Sequence, residues 1–311
     1  MPTTLEIIYS VGAVLIVAGL MLIARVVYAR FAGYDVNHQL TEADNPAVGT
    51  AMFGYLGGLV IVFVALLATE GADADDPIAI AWDLGELFTY GLVAIVLLKV
   101  SGIINDRFVL HRFENKKELV DDRNTGAGAV LCGSYLASAI ILAGAFHGRI
   151  DPDYFEGDPT PLELMGTEIG IGLAFFGLGQ LVLILYGHIY QMIQPVNVHH
   201  AIAQDYEVNG IKHGGNAAAG VAFGGNLLAL GLVLFGGVHG VFDAWDDKLL
   251  DFGVFAAIGC ILLPIWRIFV DRILLNEADL AKEIYEDRNL NAAYLETVAL
   301  LGLAGALVFV I

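Results

Sequence analysis

Apolar residues run through the chain in eight long blocks, separated by short polar stretches. A hydrocarbon core of about 30 Å requires roughly 20 apolar residues per α-helix, so each block is long enough to cross a bilayer. We predict spans at 5–31, 46–69, 79–104, 125–147, 167–192, 215–239, 249–270 and 290–311. The first block lacks a basic start and is predicted to be a span, not a cleaved signal peptide. The pattern therefore predicts an all-α polytopic membrane protein.

Composition agrees with this class. The 311 residues are 57% hydrophobic and 16% charged, whereas soluble domains carry about 25% charged residues. The 37 glycines favour close contacts between helices in lipid. Cys132 and Cys260 lie inside apolar blocks, which indicates buried small side chains and not a disulfide.

Lysine and arginine are concentrated on one side of the predicted membrane. The connections after spans 1, 3, 5 and 7, with the adjoining helix ends, hold 13 of the 15 basic residues: Arg25, Arg30, Lys99, Arg107, Arg112, Lys116, Lys117, Arg123, Lys212, Arg267, Arg272, Lys282 and Arg288. The opposite side has Arg149 and Lys248. The positive-inside rule predicts both termini outside, on the periplasmic side of a bacterial inner membrane, and the longer connections in the cytoplasm.

The predicted outer loops are acidic, at 70–76, 151–158 and 243–247. Acidic residues contribute little to orientation. They are expected either to solvate the loops or to form an outer vestibule that attracts cations.

The chain contains an internal repeat. Residues 106–124 align without gaps over 271–289, with eight of 19 positions identical. We predict a tandem duplication of a four-helix unit, with domains 1–155 and 156–311 in the same orientation because four is an even number. The shared polar residues are predicted to act as structural cytoplasmic anchors: Asp106, Arg107, Asp122, Arg123, Asp271, Arg272, Asp287 and Arg288.

A shorter repeat precedes every second span. An asparagine followed by small residues stands at the start of spans 2, 4, 6 and 8, namely Asn45, Asn124, Asn216 and Asn289. An asparagine side chain can accept hydrogen bonds from free amides of the first helical turn. Unpaired amides are costly in lipid, so we predict that each asparagine caps the helix that follows.

These motifs resemble a known family. The stretch "GGNAAAGVAFGGNL" at 214–227 and its partner "DRNTGAGAVLCGSYLA" at 122–137 are similar to the bacterial DUF350 family, also called YjfL-like inner-membrane proteins. The resemblance covers both halves and implies an integral inner-membrane protein without an established biochemical activity. It also implies gene neighbourhoods linked to envelope stress and ATP-grasp enzymes. The chain departs from the pattern at "NLNAAYLETV", which contains Asn291, Tyr294 and Glu296.

Glu296 is an ionisable residue inside the last span, seven residues past Asn289. This places it about 10 Å along the helix, below the headgroups. The equivalent positions are Met52, Leu131 and Phe223. An intramembrane carboxylate suggests an ion or proton pathway, which the four asparagines would also line. The alternative is a carboxylate paired with an arginine or a hydroxyl in a neighbouring helix. Arg267 and Lys99 are expected to snorkel towards the cytoplasmic headgroups.

His147 and His239 each lie 23 residues past an asparagine and each precedes a glycine. They are therefore predicted to occupy equivalent outer helix ends. Two imidazoles there could hold a metal or a haem. The alternative is a helix-end histidine that the duplication repeated.

The sequence is compatible with three functions. The first is a channel or transporter for a small ion or proton. The second is a membrane scaffold or envelope-stress component that docks a soluble partner at 106–121 and 271–286. The third is a metal- or haem-binding protein. Phosphate-loop, dinucleotide-binding and nucleic-acid motifs are not found in the sequence, so catalysis and a nucleic-acid partner are not predicted. The glycine content favours a homodimer within the lipid bilayer.

Overall fold

The computed structural model describes residues 3–68, 76–112, 114–208 and 211–311. Its α-helices are α1 Thr4–Phe31, α2 Val36–Thr41, α3 Pro46–Ala68, α4 Pro77–Ile104, α5 Thr125–His147, α6 Pro161–Ile193, α7 Val198–Ala203, α8 Ala217–Val238, α9 Trp245–Phe269, α10 Leu280–Tyr285 and α11 Leu290–Val310. Single π-helical turns occur at Asn105–Val109, Lys117–Asp121 and Val270–Leu274, and a 3₁₀ turn at Pro152–Tyr154. Strands β1 Tyr206–Val208 and β2 Ile211–His213 form a small antiparallel hairpin.

Eight of these helices are long and apolar enough to span a bilayer: α1, α3, α4, α5, α6, α8, α9 and α11. The all-α polytopic class and the eight spans are therefore confirmed. The largest difference in bounds is at α6, which begins at Pro161 where the sequence predicted 167. Thr160 and Glu163 form a reciprocal capping box there, and proline occupies the first turn. These signals extend the helix beyond its apolar block. The predicted acidic loop at 70–76 lies, apart from Asp76, outside the described residues.

The spanning helices are arranged in two layers of four. Helices α3, α5, α8 and α11 pack side by side in that order, and we call them the inner row. Helices α1, α4, α6 and α9 cover one face of it and form the outer row. Helices α5 and α8 are buried along most of their length, whereas α3 and α11 stand at the two ends of the inner row. The chain therefore contains four consecutive outer–inner helix pairs.

Glycine allows very close approach within the inner row. A Cβ atom added to Gly133 would lie 2.1 Å from the carbonyl oxygen of Gly224, and one added to Gly54 would lie 2.3 Å from the Cα atom of Cys132. Backbones in lipid pack this closely only where side chains are small. In the outer row, Gly166 and Gly170 have no neighbouring atom within 4 Å among the described residues. Close approach of one helix backbone to another is thus found between neighbouring helices of the inner row, whereas tightly packed outer-row glycines such as Gly91 and Gly172 meet side chains.

All four asparagines lie at the same side of the molecule, as the hydrogen bonds that link them to neighbouring units require. We call it the asparagine side, and we call the opposite side, where His147 and His239 lie, the histidine side. The two halves therefore have the same orientation, as predicted for parallel repeats. The division after residue 155 falls in the connection between α5 and α6 and stays a prediction.

Equivalent turns follow α4 and α9 at the asparagine side. The side chain of Asp271 accepts a hydrogen bond of 2.8 Å from the Leu280 amide, and Asp106 accepts one from the Asn115 amide. The same acid therefore fixes the same loop in each half. The described residues of the connections at 106–121 and 271–286 form short helical turns and not one continuous helix.

Candidate functional site

The polar residues before each inner helix form one repeated turn. The residue preceding each asparagine has a left-handed backbone, with φ of 47° at Asp44, 49° at Arg123, 64° at Gly215 and 54° at Arg288. This conformation ends the short preceding segment and aims the chain into the membrane. The Asp-Arg-Asn triplet noted in the sequence is this turn, seen in two of its four copies.

Asn124 shows how the turn is fixed. Its side-chain oxygen accepts hydrogen bonds from the amides of Gly126, at 2.9 Å, and Ala127, at 3.2 Å. Its side-chain nitrogen donates to the Glu118 carboxylate, at 2.7 Å, and to the carbonyl of Ile202, at 2.8 Å. All four contacts are buried, and such groups stabilise a fold only when fully satisfied. Burial raises the pKa of Glu118, although the Asn124 amide opposes this.

The other three asparagines cap their helices in the same way. Asn45 donates to Gln39 and to the Leu119 carbonyl, and Asn216 donates to the Ile284 carbonyl. Asn289 donates to the Glu283 carboxylate at 2.8 Å. The capping prediction is confirmed at all four positions. A role of these side chains in an ion pathway stays a prediction.

The predicted anchors contribute contacts around these turns. Asp122 pairs with Lys117, and Asp287 pairs with the equivalent Lys282. Arg288 donates to two backbone carbonyls, at 3.2 and 3.1 Å. Arg107 and Arg272 are exposed, as is Arg123. The acids therefore bind within the protein, while three of the four arginines face outwards.

Glu296 is fully buried between α8, α9 and α11. Its Oε1 atom lies 3.0 Å from the Arg267 Nε atom and accepts a hydrogen bond of 3.0 Å from Asn226. Asn226 in turn accepts a hydrogen bond of 2.8 Å from the Tyr186 hydroxyl. Among the described residues, Glu296 Oε2 and Arg267 Nη2 have no hydrogen-bond partner. The site is therefore a buried ion pair in which one hydrogen-bond acceptor and one hydrogen-bond donor lack a partner among the described residues.

The expectation that Arg267 snorkels is wrong. Its side chain is only 14% exposed and points to Glu296. A buried carboxylate on the adjacent helix attracts the guanidinium more strongly than the headgroup region does, because a charge pair in a low-dielectric interior is strongly coupled. The arginine partner that sequence reasoning left open as the alternative for Glu296 is therefore the observed one. Lys99 lies with its ammonium 5.1 Å from the centre of the Tyr28 ring.

A second polar site opens at the histidine side. A cavity of about 180 Å³ is lined by residues from the ends of α1, α3, α4, α5 and α6: Tyr9, Leu66, Leu67, Asp83, Glu86, Leu87, Tyr90, Phe146, Gly148, Arg149 and Glu168. The Tyr90 hydroxyl donates to Glu168 Oε2, and the Tyr90 ring stacks on Phe146 at 5.3 Å. Three carboxyl groups and one arginine therefore share one cavity, which we call the acidic cavity.

Helix α6 connects the acidic cavity with the region around Glu296, and it carries polar residues at both of these places and buried apolar residues between them. Glu168 lies about 10 Å below the start of α6. Further along, the Gln180 amide donates to the Ser138 hydroxyl at 2.9 Å, and Tyr186 reaches the Asn226–Glu296 network. Between Glu168 and Gln180, roughly 18 Å of helix, the buried residues are apolar and include Phe175. The two acidic sites are separated by this apolar layer.

His147 and His239 occupy equivalent helix ends, as predicted, and the structure brings the two side chains together. Their rings stack with centres 5.9 Å apart. Burial lowers the pKa of His239, and the neighbouring His147 and Lys248 act in the same direction. In the part of the chain that the structure describes, no group of three histidine, cysteine, aspartate or glutamate side chains is placed to hold a metal. Metal or haem binding by this pair stays a prediction.

Sequence reasoning overlooked the acidic cavity. Asp83, Glu86 and Glu168 all lie within the predicted spans. The rule that marked Glu296, that an ionisable residue inside a span signals function, applies to them equally. What the sequence could not supply is their convergence, because it depends on packing between the two halves.

Comparison with protein families gives a match in both halves. The family model "Domain of Unknown Function (DUF350)" matches residues 3–146 and again residues 164–311. The two matches correspond to the two sets of four spanning helices. No curated protein and no solved structure matches the chain.

Proposed function

The chain belongs to the DUF350 family, as two tandem copies in one polypeptide, and we propose that it carries protons or small cations across a bacterial inner membrane. The observation that supports this most directly is the acidic cavity, which holds Asp83, Glu86 and Glu168 between membrane-spanning helices. Carboxyl groups within membrane-spanning helices are costly, and they characteristically mark ion or proton pathways.

The second support is the placement of a carboxylate near each side of the membrane. Glu168 lies about 10 Å from the histidine-side end of α6, and Glu296 lies about 9 Å from the asparagine-side end of α11. Among the described residues, Glu296 Oε2 and Arg267 Nη2 have no hydrogen-bond partner, so a bound water molecule or ion would complete the polar contacts of the inner site. A cation bound at Glu168 would reach the second carboxylate after crossing one apolar layer. In this proposal the acidic cavity is the entry on the histidine side, and the apolar layer on α6 separates it from Glu296.

Transport predicts a measurable flux that depends on Glu168. Purified protein in liposomes should dissipate an imposed gradient of protons, sodium or potassium. Glu168→Gln should slow that flux roughly 100-fold, the lower end of what a positioned proton-transferring group contributes. Glutamine keeps an oxygen that can accept the Tyr90 hydroxyl bond, so the helices should stay packed. Ion-sensitive dyes inside the liposomes give the rate.

The matched control for this experiment is Glu156→Gln, which removes an exposed carboxylate from the loop between α5 and α6. It should leave the flux unchanged. A wild-type protein that is folded, as judged by its melting temperature, and yet moves none of the three ions would contradict the proposal.

A specific observation favours a second candidate, a rigid membrane scaffold with a soluble cytoplasmic partner. Backbones in the inner row approach so closely at Gly133 and Gly224 that an added Cβ atom would lie 2.1 Å from a carbonyl oxygen, and such close packing favours a rigid inner row. If no ion movement is detected in the flux assay, the scaffold function is favoured, with the soluble partner docking on the turns around Arg107 and Arg272.

We also propose that the asparagine side is cytoplasmic and that both termini are periplasmic, since 13 of 15 basic residues lie towards that side. Glu277→Cys and Glu156→Cys place exposed thiols on opposite sides. In bacterial spheroplasts a membrane-impermeant thiol reagent should label the cysteine at 156 and should reach the cysteine at 277 only after lysis. The reverse pattern would invert the orientation.

A further inference from the structure

Consecutive units of the inner row touch through a register that repeats. Counting from each asparagine, position 9 of one unit faces position 8 of the next. The pairs are Gly54 with Cys132, Gly133 with Gly224, and Gly225 with Thr297. Three successive interfaces therefore use the same two positions.

Two more pairs of positions follow the same rule. Position 2 faces position 4 where Ala47 contacts Gly128 and where Gly126 contacts Gly220. Position 13 faces position 15 where Gly58 contacts Ala139 and where Ala137 contacts Gly231. Each inner helix thus has a forward edge, at positions 2, 9 and 13, and a backward edge, at positions 4, 8 and 15.

A hydrogen bond accompanies each interface. The side-chain amide of each asparagine donates to a backbone carbonyl of the following unit. Asn45 donates to Leu119 at 2.8 Å, Asn124 to Ile202 at 2.8 Å and Asn216 to Ile284 at 2.9 Å. Leu119 and Ile284 each stand five residues before the asparagine of their own unit. The row is therefore joined by one directional contact, repeated three times.

This register leaves one edge uncovered at each end of the row. The forward edge of α11 consists of Asn291, Val298 and Gly302, all exposed. Val298 is 62% exposed, and Gly302 has no described atom within 4 Å that an added Cβ would meet. Beside it, the Asn289 side chain donates only within its own unit in the described structure.

The backward edge of α3 consists of Gly49, Phe53 and Val60. Phe53 is 67% exposed and Val60 47% exposed. Leu40 stands five residues before Asn45, the place equivalent to Leu119 and Ile284. In the repeated register, the backbone carbonyl of Leu40 would accept a hydrogen bond from the asparagine side-chain amide of a preceding unit.

We propose that the forward edge of α11 in one copy docks on the backward edge of α3 in a second copy, with the Asn289 amide donating to the Leu40 carbonyl. The interface continues the register already used three times inside the chain.

In this interface Gly302 would face Val60, and Gly49 would face Asn291, so a small residue meets a larger one in both pairs. Val298 and Phe53 are larger than any internal pair and set a wider helix separation. Such head-to-tail contact closes into a ring or extends the row.

Cysteine cross-linking in native membranes tests the pairing. In a Cys132→Ala/Cys260→Ala background, Phe53→Cys and Val298→Cys are made in separate chains and co-expressed. A short thiol cross-linker should then join the two chains into a covalent dimer. Both substitutions in one chain should give covalent multiples up to the number of copies in the ring or row, because the two positions lie at opposite ends of the inner row.

Two controls distinguish this contact from random collision and from a symmetric α11–α11 dimer. Val298→Cys paired with Leu185→Cys, an exposed position on the outer row, reports random collision in the membrane. Val298→Cys alone reports a symmetric α11–α11 dimer. Cross-linking of Val298→Cys alone, or a mixed yield no higher than the Leu185 pair, would overturn the proposal.

A bulky residue gives an independent measurement. Gly302→Trp should convert the assembly to monomers in detergent, as measured by light scattering, because the position is open within the chain. Gly177→Trp, at an equally open glycine of the outer row, should leave the mass unchanged. Equal masses for both variants would count against the forward edge.

Discussion

Gly133→Ala is expected to destabilise the protein by about 3 kcal/mol, the upper end of typical overpacking costs. The new Cβ atom would lie 2.1 Å from the carbonyl oxygen of Gly224, far inside the ~3.5 Å at which heavy atoms attract. Helices α5 and α8 would have to separate, and they form the centre of the inner row. The melting temperature in detergent, compared with that of the unmodified protein, gives the effect.

Gly177→Ala is the matched control for this prediction. The same substitution on the exposed face of α6 meets no described atom within 4 Å. Alanine favours a helix over glycine by about 1 kcal/mol, so this variant should be slightly more stable. If both variants behaved alike, the close approach of α5 and α8 would be refuted.

Much of the fold could be predicted from local signals in the sequence. Span length, the placement of basic residues and the asparagine repeat can each be identified from short contiguous stretches of the sequence. The capping role of Asn124 was predictable because the amides it serves follow it directly in the chain. The order of the inner row was not predictable, because it depends on which glycine faces which neighbour. Gly133 and Gly224 are 91 residues apart, the difference between their numbers, and the repeated register that pairs them becomes visible only when the helices are packed.

The candidate functional sites likewise have features that the sequence predicted and features that it did not. Glu296 was identified because a charge inside an apolar run is conspicuous. Its partner Arg267 was assigned to the headgroups, because helix position alone does not show which way a long side chain turns. The carboxylates of the acidic cavity converge from α4 and α6, which belong to different halves of the chain. The tandem repeat therefore predicted the scaffold, whereas the contacts between its copies create the polar sites.

Arg267→Met should be among the most damaging single changes in the chain, costing about 3–5 kcal/mol, because it leaves the Glu296 carboxylate buried without a counter-charge. Glu296→Met should be damaging for the same reason, since it leaves the guanidinium unpaired. The double variant should recover most of the stability, because two apolar side chains can replace a buried ion pair at little cost. Asn226 would remain satisfied in that variant through the Ala222 carbonyl, at 2.9 Å, and the Tyr186 hydroxyl.

The double variant also separates stability from transport at this site. Methionine already stands at the position equivalent to Glu296 in the first unit, Met52, where it is buried. A double variant with near-normal melting temperature but no ion flux would assign Glu296 and Arg267 to the transport pathway. Normal flux in that stable variant would limit the pair to packing and move the pathway to the acidic cavity alone. Single variants that each cost less than about 1 kcal/mol would show that the two groups are not a buried charge pair, because breaking such a pair is expected to cost several times more.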